Sequence, residues 1–117
     1  MIRKFKFDYD KENDDLFMYD PKSRSNRSIE LDDLIIDYNS KMQISAIELL
    51  NASSFFTDLG NAVGKSKLLE IANCKVDIIP KSSFFLLKFI LTFKSKEQLT
   101  TPLIIPSITE PSPAALV

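Results

Sequence analysis

Leu31-Asp32-Asp33-Leu34-Ile35-Ile36-Asp37-Tyr38-Asn39-Ser40-Lys41-Met42-Gln43-Ile44-Ser45-Ala46-Ile47-Glu48-Leu49-Leu50-Asn51-Ala52-Ser53 is the stretch from which the fold is read. It reads as two strands joined by the polar turn Asn39-Ser40-Lys41. With that turn, Tyr38 faces Met42, Ile36 faces Ile44 and Leu34 faces Ala46, so one face is wholly apolar. A shift of one residue would mix the faces, which fixes this register by face purity. Strict alternation fails beyond Ala46, because it would turn Glu48 inward and Ile47 and Leu49 outward. A β-bulge near Ala46 restores the pattern, sending Ile47 and Leu49 to the core and Glu48 out.

Working outward, Phe5, Phe7 and Tyr9 alternate with Lys6 and Asp8, the period of a half-buried strand. The acidic cluster from Asp10 to Asp15 makes a turn, and Leu16-Phe17-Met18-Tyr19 returns as the second arm of a hairpin. Asp20-Pro21 opens a polar, basic loop to Ser28, expected to be the most mobile segment before the tail. After the central hairpin, Ser53 to Gly60 predicts a short helix capped by a serine, with Gly60 in the left-handed closing position. Ser66 to Asn73 predicts a second. Strands then resume over Cys74 to Ile79 and, after Pro80-Lys81-Ser82, over Ser83 to Lys94. That last strand is apolar on both faces and needs cover on both. Leu103 to Ile108, marked by Pro102 and Pro106, predicts an edge strand.

These elements make an α+β fold, mainly an antiparallel β-sheet of meander hairpins with two short helices inserted mid-chain, after the fourth strand. A single domain over residues 1–109 and a disordered tail over 110–117 are expected.

Net charge is −1, split −3 over residues 1–53 and +2 over 54–117, so no strong field draws in nucleic acid or an anionic membrane. There is no histidine, which removes the commonest general base and metal ligand. A single cysteine, Cys74, forms no intramolecular disulfide and fits a reducing cytoplasm. It reads as a small buried hydrophobe. The start of the chain alternates instead of running apolar, unlike a signal peptide, and the run from Phe84 to Phe93 is too short for a helical span.

Gly60-Asn61-Ala62-Val63-Gly64-Lys65-Ser66 has three residues between its glycines where a phosphate loop needs four, and reads as a linker. The carboxylates from Asp8 to Asp15 lack the glycine and the closing acid of a calcium loop and read as a solvated turn. Lys4, Lys6, Arg24 and Arg27 lie near Phe5, Phe7 and Tyr9, but alternation separates the two sets onto opposite faces. Nucleic acid is therefore disfavoured as a partner. No catalytic residue, cofactor or metal site is expected.

Residues 5–53 resemble the small YuzE-like domain-of-unknown-function family of bacteria and archaea. The likeness is carried by Phe7-Asp8-Tyr9-Asp10, Asp14-Asp15-Leu16-Phe17-Met18, Ile35-Ile36-Asp37 and Ile47-Glu48-Leu49-Leu50-Asn51-Ala52-Ser53. The resemblance implies no activity, because that family has none assigned. Some members sit beside small toxin-like proteins, which implies an antitoxin-like partner role. Asp37, Glu48 and Asn51 match its polar pattern and form the candidate polar site. The long basic loop before Ser28 and the apolar strand Phe84–Phe93 depart from it.

Two functions follow as expectations. The first is a non-enzymatic interaction module of the cytoplasm that self-associates or binds a protein partner, toxin-like in the reading the resemblance implies. Its candidate interface is Phe84, Leu86 and Ile90 on the second face of the apolar strand. The alternative is a small-ligand-binding protein or hydrolase-type enzyme using Asp37 and Glu48, with Asn51 converging on the same pocket, since two carboxylates in a cleft can do acid–base work.

Overall fold

Eight strands form one open antiparallel sheet, curved like half a barrel, in the computed structural model, which describes residues 1–106. The strands are β1 (Ile2–Asp10), β2 (Asp15–Tyr19), β3 (Arg27–Leu31), β4 (Leu34–Tyr38), β5 (Ile44–Leu49), β6 (Ile71–Pro80), β7 (Phe84–Phe93) and β8 (Gln98–Pro106). Their spatial order is β3-β4-β5-β2-β1-β6-β7-β8. Two helices, α1 (Ala52–Asp58) and α2 (Lys65–Leu68), come between β5 and β6. They follow the fifth strand and not the expected fourth, because the segment expected as a loop to Ser28 runs into a further strand, β3. No helix among the described residues is long and apolar enough to cross a membrane.

The concave face carries the core. Alternation puts Phe5, Leu16, Met18, Leu34, Ile36, Ile47, Leu49, Cys74, Val76, Leu87, Phe89 and Leu91 inward, and all are buried. At one end the helices close this concavity. Phe56 of α1 is fully buried, and Phe55 and Phe56 meet the Phe89 ring edge-on at 6.0 and 6.4 Å. Burial pushes the Cys74 thiol up to about 12, consistent with a sulfur that packs and does not react.

The central hairpin differs from its expected register. Tyr38 pairs with Ile44, Ile36 with Ile47 and Leu34 with Leu49. The loop runs from Asn39 to Gln43, because the Asn39 carboxamide oxygen accepts the N–H groups of Lys41 and Gln43, both at 2.9 Å, and Met42 takes a left-handed φ of 61°. The bulge residue is Ser45, next to Ala46, and its effect is the expected one: Ile47 and Leu49 are buried while Glu48 faces out. The first hairpin, β1 with β2, forms as read.

Four other expectations are corrected. Arg27–Leu31 is a strand, turning into β4 at Asp32 with φ 53°, and the loop before it is tied down. Asp20 N–H donates to the Ser45 carbonyl at 2.9 Å, Asn26 N–H to the Tyr38 carbonyl at 2.7 Å, and the Ser25 and Ser45 hydroxyls meet at 2.9 Å. α1 has no serine side-chain cap; Asn51, at φ 49°, precedes it. α2 is only four residues long and starts after Gly64, because Ile71 to Asn73 belong to β6 and not to a helix. β8 begins at Gln98, earlier than Leu103. Gly60 does take the expected positive φ, 91°. The proposed strand end at Ile108 and the tail 110–117 lie outside the described residues.

Candidate functional site

Asp37 and Glu48 sit on the convex face, on neighbouring strands but diagonal to one another: Asp37 is opposite Ala46, and Glu48 is opposite Ile35. Asp37 accepts from the Ser28 hydroxyl at 2.6 Å and the Ser25 hydroxyl at 3.2 Å, so both of its oxygens have donors. Glu48 keeps different company. Its hydrogen bond with Asp15, then burial, then the charges of Asp15 and Asp37 push its pKa up to about 7. The Asp15 Oδ1 is buried and receives no donated hydrogen otherwise, so a proton carried by Glu48 satisfies both carboxyls. Asn51 is not with them. It lies at the start of α1, where its amide donates to Asp33 at 3.4 Å. The structure thus joins Glu48 to Asp15 and Asp37, and sets Asn51 apart on a loop. The surroundings are a convex sheet face, with the Phe17 and Tyr19 rings stacked at 5.2 Å along β2.

Asp14, expected in a solvated turn, is instead buried and organises a network that the sequence does not show. Asp14, buried and at φ 54°, accepts from the Tyr9 hydroxyl at 2.6 Å, the Ser53 hydroxyl at 2.6 Å and the Ser53 N–H at 3.1 Å. Burial pushes its carboxyl up, but the donors from Ser53 and Tyr9 outweigh this and hold it below the ordinary range. Tyr9 is raised in turn, by burial and by Asp14. The Ala52 N–H donates to the Asp14 carbonyl at 2.8 Å. Asp14 therefore caps α1 from the first hairpin and anchors the helix over the core. No local pattern reveals this, since the partner residues are 39 positions apart.

The candidate interface residues share one surface. Phe84, Leu86 and Ile90 all point to the convex side of β7, opposite to the inward Phe85, Leu87 and Phe89 series, and are half-buried. The register extends them: Ile79, Leu86 and Ile104 form a row across β6, β7 and β8, with Phe84 and Pro106 beside it. Ile104 is 65% exposed.

Residues 6–53, the region of the resemblance above, match the family of proteins of unknown function DUF2283. An uncharacterised protein of Methanocaldococcus jannaschii is 43% identical over 53 residues, which are 45% of this chain and 46% of that protein. The chain thus spans about half the length of that relative. A Methanosarcina mazei protein named putative hypoxanthine phosphoribosyltransferase is 37% identical over 82 residues, 67% of each chain. This chain belongs to the same family as the Methanosarcina protein. No solved structure matches it.

Proposed function

We propose that this chain is a non-enzymatic interaction module that pairs weakly with a second copy of itself through the convex face of β6–β8. The observation that supports this reading is the row Ile79–Leu86–Ile104, flanked by Phe84, Pro102 and Pro106, with no layer over it among the described residues.

A second copy fits for two reasons. The next row holds one acid and one base opposite each other, Asp77 and Lys88, so a two-fold axis can set each Lys88 near the partner copy's acid. Lys75 lies on the same face opposite Ile90, and the Met1 ammonium pairs with Asp77 at 3.1 Å, so the patch carries mixed charge of both signs, which suits a second copy better than a strongly charged partner. The route is face to face, because Pro102 and Pro106 remove donors from the open edge of β8. Magnitude sets the strength. Three strands by about five residues give a projected area of roughly 200 Å², against about 800 Å² per partner in a standard interface. So small a surface makes the pairing weak, and concentrations on the order of 100 µM are where it is sought.

Phosphoribosyl transfer, in the name of the Methanosarcina relative, finds little support. Such chemistry needs fixed N–H groups or cations aimed at a pyrophosphate. The Gly60–Ser66 segment leads into a helix of only four residues. Arg3, an inward-facing cation, is already tied to Asp20 at 3.0 Å. Asp37 and Glu48 lie on a convex face and not in a cleft, which favours a surface role over hydrolysis.

Sedimentation equilibrium of the wild type and of Leu86→Asp tests the proposal, over roughly 10 to 300 µM. The expected result is a concentration-dependent rise in mass toward the dimer, absent in Leu86→Asp. A wild type that remains monomeric across the range, or a variant that dimerises equally, overturns it.

A further inference from the structure

The helices fill only one end of the concave face. At the other end, where β1 and β7 start and β4 and β6 finish, the strands leave a cavity of about 490 Å³. That volume falls within the range of small-molecule sites, about 300 to 1,000 Å³. Tyr38, Ile44, Ile78, Pro80 and Phe85 supply apolar wall, and Arg3, Asp20 and Lys81 supply charge.

The polar wall is built, not incidental. Arg3 occupies an inward position of β1, in series with Phe5, where an apolar residue would be expected. Its guanidinium donates to the Ile44 carbonyl at 2.6 Å and to Asp20 at 3.0 Å and lies 4.9 Å from the Phe5 ring centre. These contacts fix the cavity wall and neutralise Arg3 and Asp20 against each other. Two groups on the wall are left over. Tyr38 is 4% exposed, and its hydroxyl is buried with no hydrogen-bond partner. An orphan of this kind is costly unless something fills its need. Burial pushes that hydroxyl up to about 12, so it remains a donor at neutral pH. Lys81, exposed at the rim, has no ion-pair partner among the described residues.

We propose that this cavity binds an amphipathic monocarboxylate, with its apolar body against Tyr38, Ile44, Ile78 and Phe85 and its carboxylate taken by the Lys81 ammonium and by the Tyr38 hydroxyl, which is closed off in the free protein and is uncovered as the ligand enters. One uncompensated cation on an apolar wall suits one negative charge. A polyphosphate would bring several charges to a site able to neutralise one, and a cation would meet Lys81 with Asp20 already occupied. This site is on the concave face and is independent of the self-association surface.

Octanoate is the probe, followed by isothermal titration and by displacement of anilinonaphthalene sulfonate, with octylammonium and octanol as charge controls. Octanoate is expected to bind with a stoichiometry of one and to outcompete both controls. Tyr38→Phe and Lys81→Ala are each expected to weaken it about five- to tenfold. Tyr38→Phe removes an unsatisfied group and keeps the ring, so the same variant is expected to raise the thermal midpoint of the free protein. Leu86→Asp, on the convex face, is expected to leave octanoate binding unchanged. No binding up to about 1 mM, equal binding of octylammonium, or octanoate affinity indifferent to both Tyr38→Phe and Lys81→Ala overturns the proposal. Sensitivity to Leu86→Asp alone would relocate the probe to the convex patch and overturn it as well.

Discussion

The convex face of this sheet has two dissimilar halves laid over one continuous core. Over β2, β4 and β5 its outward residues answer one another: Phe17 stacks on Tyr19, Asp37 takes two serine hydroxyls, and Glu48 shares a hydrogen bond with Asp15. Over β6, β7 and β8 the outward residues Ile79, Phe84, Leu86, Ile90 and Ile104 have apolar character and no covering layer among the described residues. The first half is chemically self-contained. The second has surface left to bury, so the interaction reading is placed there and not on the carboxylates.

The contrast presupposes that outward residues of β7 are not core, and adjacent positions test this most severely. Phe89 is fully buried among Phe55 and Phe56, so Phe89→Ala should cost about 3–5 kcal/mol by chemical denaturation. Ile90→Ala, one residue on and on the opposite face, should cost less than about 1.5 kcal/mol at concentrations where the protein is monomeric. Equal losses would mean that the second face of β7 is buried within the monomer.

Asp14 provides the next largest effect. Asp14→Ala strands the Tyr9 and Ser53 donors and frees α1 from the first hairpin, and should destabilise by about 2–3 kcal/mol. Because its folded pKa is depressed, its contribution is present above the ordinary aspartate range and is lost as pH falls through the folded value. Urea midpoints measured between neutral and acid pH should therefore fall less steeply in Asp14→Ala than in the wild type.

Glu48 acts with the opposite sign and more weakly. Its folded pKa is raised, from 4.5 to about 7, so its stabilising share is full below 4.5 and is lost as pH rises toward 7. Glu48→Gln, which keeps a donor for Asp15 at all pH values, should raise stability at pH 8 by about 1 kcal/mol after allowance for solvent screening. It should also flatten the decline between 4.5 and 7. A variant no more stable at pH 8 than the wild type would mean that Glu48 and Asp15 do not share a proton, and would reopen the pair as a reactive site.

Most of the framework was legible from alternation. β1, β2, β4 and β7 show period-two burial, and the inward series of β7 was readable residue by residue. β3 is not, since only Ile29 of its five residues packs against the core and the rest are exposed. The hairpin register was misread because face purity ignores loop chemistry, and the Asn39 side chain stabilises a loop longer than three residues. α2 was overextended because Ile71 is inward in a strand as readily as in a helix. Among site residues, the convex placement of Asp37, Glu48, Phe84, Leu86 and Ile90 follows from alternation plus the bulge. The links that organise Asp14 with Ser53, Glu48 with Asp15, and Arg3 with Ile44 join separate elements, and no local pattern encodes them.

The contrast between the two halves is tested most directly by amide and methyl NMR spectra of the wild type, recorded as a concentration series. Progressive, saturable shifts are expected at Ile79, Leu86 and Ile104, with Ile35 and Glu48 unmoved. Shifts centred on Ile35 and Glu48, or spectra that do not change with concentration, would contradict it.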